Sequence, residues 1–210
     1  MNKISDKKIE RIITYRRVLL RLDKQLGKTH VFSHQLASSS GASSAQVRRD
    51  LMEIGYTGSP AHGYEIRGLL DSIGEFIDPD QKEGIALVGV GNLGRAIIDY
   101  FNGQSSKLEI VTVFDVNPDK IERVISGCRS YHVKDLKPVI IEKKIKTAVI
   151  TVPSGSAQSV ADELIEAGVK GILNYAPITL TVPHGIYVEN RDMITTLEKV
   201  SYFAKNNTNK

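Results

Sequence analysis

The chain has no tryptophan and a single cysteine, Cys128, among its 210 residues. One thiol allows no intrachain disulfide and no cysteine-based metal centre. Cys128 therefore reads as a buried structural thiol in a reducing compartment. Long apolar runs are missing as well. Nowhere do about 18 consecutive apolar residues occur, so no membrane-spanning helix is expected. The opening stretch MNKISDKKIERIITYRR is too charged to hold a signal peptide's apolar segment, and the expected location is cytoplasmic. Histidine is scarce. Only His132 and His184 lie in the second half of the chain, and neither has a carboxylate at an obvious partner spacing. No proton-transfer pair of the kind a dehydrogenase needs is visible, and no metal site. What remains is ordinary for a globular protein, 41% apolar and 25% charged.

Acidic residues are rare at one end only. Residues 1–49 carry eleven Lys/Arg against Asp6, Glu10 and Asp23, a net of +8, in a chain whose total is +4. A basic N-terminal arm on a mildly acidic body suggests a polyanionic partner for the arm.

Periodicity divides the chain at about the same place. From Asp6 to Leu26, Ile9, Ile12, Ile13, Leu19, Leu20 and Leu22 recur at mostly 3–4 spacing, a helix that Gly27 closes. SHQLASSS reads as a second helix capped by Ser33, and residues 44–54 as a third. YTGSPAHGYEIRGL reads as two strand-like pieces around a turn, and GEFIDPDQKEG as a linker. This is a winged-helix pattern. Beyond it the apolar runs IALVGV (85–90), EIVTVF (109–114), TAVITV (147–152), GILNY (171–175) and IYVEN (186–190) alternate with helical stretches at 93–102, 118–126, 134–144 and 155–167. Such alternation implies a parallel sheet covered on both faces. A last helix spans about 192–205, with Leu197, Val200 and Phe203 on one stripe. The expected fold class is α/β: a winged-helix domain at 1–78, a Rossmann-like domain at 79–191, and a C-terminal helix and tail at 192–210.

In QLASSSGASSAQVRRDL, Ala37, Gly41 and Val47 are a small residue, a turn glycine and a β-branched apolar residue, the types a helix-turn-helix needs in that order. Ser43 and Gln46 fit a capping box that fixes the start of the next helix. Its first turns carry Ser44, Gln46, Arg48 and Arg49. Gln pairs bidentately with adenine and Arg with guanine in a major groove, while Ser44 suits a phosphate. His62 and Tyr64 are wing candidates. A solvated polar face, with Arg49 tied to Glu53, and a merely structural hairpin are the plainer alternatives.

The stretch GVGNLG, residues 89–94, has the G-x-G-x-x-G spacing of a dinucleotide turn. It follows a strand, opens a helix, and lies 21 residues before Asp115, an acid ending the next strand. Gly89 permits the tight turn, Gly91 lets backbone approach a pyrophosphate, and Gly94 lets helix and sheet pack. Val90, Asn92 and Leu93 complete the loop, whose helix start favours phosphate. Asp115, followed by Val116, would accept from ribose hydroxyls and repel a 2′-phosphate, which favours NAD and NADH over their phosphorylated forms. Val152, Pro153, Ala176 and Pro177 stand just after later strands, where ligands of such sheets bind. Arg95, a cation in the helix's first turn, points to a nearby anion or to plain surface solvation.

Together these stretches resemble one family. ITYRRVLLRL, FSHQLASSSGASSAQVRRDL, GVGNLGRAIIDYF, VFDVNPDKI, TVPSGSAQSVADELIEAGVKGILNYAP and YVENRDM are similar, in order and spacing, to the redox-sensing transcriptional repressor Rex. The resemblance implies a homodimer with swapped C-terminal helices. It implies binding to operator DNA, palindromic and AT-rich, when NADH is scarce, and release when NADH binds. It places Tyr100 near the nicotinamide and pairs Arg17 with Asp192 between domains, although Asp192 would equally serve as the last helix's N-cap. The wing departs from the family pattern, with Ser59-Pro60-Ala61-His62 where Lys or Arg and extra Gly are usual. Other readings are an NAD-dependent oxidoreductase with an N-terminal assembly domain, a nucleotide domain of the CoA-ligase type, and a DNA-binding protein holding NAD only structurally. The first lacks its acid–base pair, and Asp115 argues against the second.

Overall fold

The structure, a computed structural model, describes residues 4–59, 61–101 and 107–207. The chain divides into two compact units, Met1–Asp80 and Gln81–Lys210.

In the first unit, α1 (Asp6–Leu26) buries Ile12, Tyr15, Leu19 and Leu22 on one stripe. Leu20, one of the apolar residues of the sequence pattern, turns to solvent instead, and Tyr15 is fully buried. Gly27 ends the helix in the left-handed region. Strand β1 (His30–Val31) leads into α2 (Ser33–Ser40), Gly41 makes the turn, and α3 (Ser44–Glu53) follows. Ser33 is not the cap of α2. That position is Phe32, whose backbone N–H donates to the Gln35 side chain at 2.9 Å. The turn Ser59–Gly63 leads to β2 (Tyr64–Glu65), which pairs antiparallel with β1 rather than with a strand just before it.

A fourth helix, α4 (Ile66–Ile77), occupies what reads in sequence as the second hairpin strand and the start of the linker. Glu65 caps it by accepting from the N–H groups of Arg67 and Gly68, and Ile66, Leu69 and Ile73 face the core. Its apolar residues Ile66, Leu69, Leu70, Ile73, Phe76 and Ile77 keep 3–4 spacing, so the helix is legible in the sequence; Gly68 and Gly74 read as turn signals and hide it. Helices α1 to α4 close over one core built on Tyr15, Leu36, Val47, Leu51, Tyr64 and Leu69.

The second unit is a seven-stranded sheet in the order β5-β6-β4-β3-β7-β8-β9. Its strands are β3 (Glu83–Val88), β4 (Leu108–Asp115), β5 (Val124–Ile125), β6 (Cys128–His132), β7 (Thr147–Ile150), β8 (Gly171–Asn174) and β9 (Tyr187–Asn190). All neighbours are parallel except β5, which runs antiparallel to β6 at one edge. Helices α5 (Asn92–Phe101), α6 (Leu136–Glu142) and α7 (Ser154–Glu166) cover the faces. The pleat sorts β3 by parity. Ile85 and Leu87 pack with Ile98 of α5, while Ala86 and Val88 pack with Leu136 of α6 and Ala157 of α7.

Residues 118–126 are not a helix. A short 3-10 turn at Pro118–Lys120 gives way to the β5–β6 hairpin, whose two-residue loop places Ser126 at φ 47° and Gly127 at φ 86°. Both central residues are left-handed, the geometry that matches strand twist in a tight hairpin. The Ser-Gly pair was the signal for it.

The last helix, α8 (Met193–Asn207), has no buried side chain over residues 193–206; Met193, Ile194, Leu197, Val200, Tyr202 and Phe203 are all at least half exposed. No helix among the described residues is long and apolar enough to cross a membrane.

Candidate functional site

The sheet's winding reverses between β3 and β7: successive strands run outward from β3 through β4 to β6, then from β7 through β8 to β9. Ligands of such sheets bind where the order reverses, beyond the strands' carboxyl ends. A cleft of about 630 Å³ lies there.

Its floor is the turn after β3. Gly89 has φ +98°, and a Cβ on it would meet the Thr151 carbonyl oxygen at 2.8 Å. A Cβ on Gly94 would stand 2.2 Å from the Gly89 oxygen, so helix α5 can start this close to the turn only through a glycine. Gly91 has open space where its Cβ would be, as a ligand approaching the backbone requires. Thr151, at the end of β7, donates its hydroxyl to the Gly89 oxygen at 2.7 Å and locks the two crossing loops together.

Asp115 ends β4 with 7% exposure. Its carboxylate accepts from the Val90 N–H at 2.7 Å and the Asn117 N–H at 2.9 Å, and the Lys120 ammonium lies 3.4 Å away. Burial pushes its pKa up, but the two amides and Lys120 outweigh that and hold it below the usual carboxylate range. An ionised carboxylate has about four lone-pair sites, so capacity remains for ribose hydroxyls.

Of the cofactor candidates, Gly89, Gly91, Leu93, Asp115, Val116, Val152 and Pro153 line the cleft. Val90 is buried beneath it, and Gly94 serves packing. Asn92 begins α5. Ala176 is buried in the loop after β8, where its N–H donates to the Asn174 side chain; neither it nor Pro177 reaches the cleft. Tyr100 lies away from the cleft on α5 with 72% exposure. The sequence reading missed Lys120, Thr151, Tyr175 and a stripe of α7, Ser156, Ser159 and Glu163, all of which line the cleft. The 3–4 spacing of that stripe was a usable signal; Tyr175 and Lys120 needed the fold. His132 has a structural task, its ring nitrogen accepting from the Lys134 N–H at 2.9 Å. No metal-binding cluster of His, Cys, Asp or Glu is found among the described residues.

In the first unit, Ser43 caps α3 by accepting the Gln46 N–H at 3.1 Å. The reciprocal half of the expected box does not form. Gln46 instead donates its side-chain amide to Asp50 at 2.8 Å. Asp50 is 1% exposed and also takes two bonds from Arg11, at 2.7 and 2.8 Å, and one from the Tyr15 hydroxyl at 2.9 Å. Arg48 and Arg49 are exposed on α3, Arg48 touching the Ser33 hydroxyl at 3.3 Å. Glu53 pairs with Lys8 rather than with Arg49. Ser44 is half-buried and His62 exposed. Tyr64 is buried, its ring under Gly58 and against Tyr56, so it serves the core and presents no contact surface. Pro60 of the turn lies outside the described residues.

Arg17 is exposed on α1. Asp192 caps α8, accepting from the N–H groups of Ile194 and Thr195 at 2.9 and 3.4 Å and from the Thr195 hydroxyl at 2.6 Å. The plainer of its two readings is thus the bonding observed.

Comparison with known proteins gives these features a lineage. Residues 3–51 match the family described as "Putative DNA-binding protein N-terminus", and residues 80–178 match the CoA binding domain. The redox-sensing transcriptional repressor Rex of Lactobacillus acidophilus is 38% identical over 96% of this chain and 95% of its own length. That of Ligilactobacillus salivarius is 39% identical over 96% of this chain and 94% of its own. Among solved structures, RSP in complex with β-NAD+ and operator DNA aligns with a TM-score of 0.89 at 29% identity, covering 99% of this chain and 95% of that one. RSP in complex with β-NADH aligns at 0.85 and 29%, covering 99% and 97%. Identity above 35% along nearly the whole length, with the dinucleotide turn and the helix-turn-helix in the same chain, settles the lineage: this chain belongs to the Rex family of redox-sensing transcriptional repressors.

Proposed function

We propose that the chain is a cytoplasmic, homodimeric repressor that binds operator DNA through α3 and releases it when NADH fills the cleft at Gly89–Gly94. The observation that carries the reading is the pairing, in one chain, of a buried carboxylate at Asp115 held ionised beside the glycine turn with a capped helix presenting Arg48 and Arg49. The structural neighbour RSP was solved both with β-NAD+ and operator DNA and with β-NADH, which supports both halves.

The cofactor's pyrophosphate meets the amides at the start of α5, where the helix dipole favours negative charge. Asp115 takes the adenosine ribose, with Val116 beside it, and Val152 and Pro153 line an apolar wall. Oxidised nicotinamide carries a positive charge that an apolar pocket penalises, so NADH binds more tightly. Only a ligand that prefers one dimer geometry shifts its population. Near-complete switching needs roughly 10⁴-fold preference. The exposed apolar side chains of α8 are covered by a second subunit, whose own α8 swaps in return; Tyr100, Ala176 and Pro177 then act in the assembled cofactor site, and Arg17 with Asp192 couples the two units. Gln46 and Arg48 read bases, while Ser44, Arg49 and His62 touch backbone.

The test is operator binding at fixed salt, titrated with each cofactor. NADH releases the DNA at concentrations where NAD+ does not. Release by NAD+ alone overturns the model. The CoA binding match raises a second ligand, and a thermal-shift comparison of CoA with NADH decides between them.

A further inference from the structure

Gln46 does not point freely from α3. Its Nε2 donates to Asp50 one helical turn on, and Asp50 is held in turn by both donor faces of Arg11 and by the Tyr15 hydroxyl of α1. Within the first unit, α1 therefore reaches the recognition helix through a buried carboxylate, besides the Lys8–Glu53 pair at the far end of α3. The chemistry of that carboxylate is one-sided. Charged, it only accepts hydrogen bonds. Its burial raises its pKa, but the bonds from Arg11, Gln46 and Tyr15 outweigh this and keep it ionised. It therefore faces the NH₂ end of the Gln46 amide and excludes the carbonyl end.

The opposite end remains available. Ser130 Oγ is the single buried side-chain N or O atom without a partner among the described residues, so the Gln46 Oε1 is either bonded or open to solvent, and no protein donor reaches it. An amide that gives one proton to Asp50 keeps one N–H and its carbonyl oxygen. Those are the donor and acceptor that adenine's N7 and N6 amino group complement in a major groove. A freely rotating glutamine offers this pair in either sense and loses rotamer entropy on ordering.

We propose that Asp50 is a specificity-determining positioning residue: it fixes the sense of the Gln46 amide and so selects the base that α3 accepts. This rests on the DNA-binding reading of α3. In Asp50→Asn the side chain presents its own NH₂ or its carbonyl and no longer dictates the orientation of Gln46.

The experiment measures binding of the full-length protein to operator duplexes carrying each of the four base pairs at every half-site position, at two salt concentrations. Asp50→Asn is expected to lose discrimination at one position by roughly tenfold, while its salt dependence stays that of the wild type. Gln46→Met, which cannot make the bond, loses discrimination at the same position, and combining the two adds nothing. Tyr15→Phe is the structural control: it removes a bond to Asp50 but leaves Gln46 tethered, so it lowers stability without changing base preference. If Asp50→Asn does not fold, Asp50→Ser decides by the same measurement. Unchanged discrimination in a folded Asp50 variant or in Gln46→Met, or equal loss at every position, overturns the proposal alone. A wild-type protein that binds no duplex preferentially overturns the DNA reading with it.

Discussion

Asp115 accepts the backbone N–H of Val90 at 2.7 Å, across 25 residues of sequence. The acid at the end of one strand is thereby a structural member of the glycine turn after its neighbour. Its exchange for a neutral residue changes both the shape of the turn and the acceptor proposed for the ligand.

Asp115→Ala leaves the buried Val90 N–H without a partner, a cost of about 1–3 kcal/mol. NADH affinity falls at least tenfold, and NADPH is not gained in exchange, since the turn itself is loosened. Calorimetric titration with both cofactors checks this.

The same carboxylate has a pKa held below its ordinary value of about 3.9. A lowered folded-state pKa contributes stability that is present above the unfolded value and lost as pH falls through the folded one. NADH binding and the melting of the Gln81–Lys210 unit are expected to be insensitive to this group from about pH 8 to pH 5, with its contribution fading below about pH 4. An Asp115-dependent transition near pH 6 contradicts the assignment.

Two glycines of the turn should part company. Gly94→Ala places a methyl 2.2 Å from a backbone oxygen and destabilises the second unit by about 3 kcal/mol or more, losing NADH as well. Gly91→Ala meets nothing within 4 Å, so it melts within about 0.5 kcal/mol of the wild type yet binds NADH at least tenfold more weakly. Thermal melts and cofactor titrations on both variants separate fold from ligand.

Arg11→Ala strands the Asp50 carboxylate, 1% exposed, without its guanidinium. The expected loss is about 3–5 kcal/mol in the Met1–Asp80 unit, against about 1 kcal/mol for Tyr15→Phe. Burial first, and then its bond to Asp50, push the Tyr15 pKa up to about 12. A raised folded-state value means its contribution is complete below about pH 10 and disappears as pH rises through 12. Urea melts followed by circular dichroism, with wild type minus Tyr15→Phe across that window, read it directly.

Leu197→Asp on α8 removes apolar cover from a residue 69% exposed in the single chain. Folding of the separate chain is unaffected, but sedimentation shows monomers, and operator affinity falls with them. A variant that remains dimeric shows that α8 is not the interface.

The sequence by itself determined the two-part organisation, the glycine turn, the strand-end acid and the helix-turn-helix. Each is written in local spacing: 3–4 periodicity in α1, a near-continuous apolar run in β3, and glycines where a Cβ finds no room. Tertiary structure decided what spacing cannot carry. Helix α4 was legible in its 3–4 pattern and was hidden only by Gly68 and Gly74 read as turn signals, whereas the β5–β6 hairpin looked helical until Ser126 and Gly127 took left-handed angles. Tyr64 sank into the core because β2 pairs with β1 more than thirty residues earlier. Gln46 turned from its own cap to Asp50 because Arg11 and Tyr15, on another helix, make that carboxylate a buried anion in need of donors. Non-local hydrogen bonds to a desolvated charge outweigh a local cap, and no window of neighbouring residues reveals them.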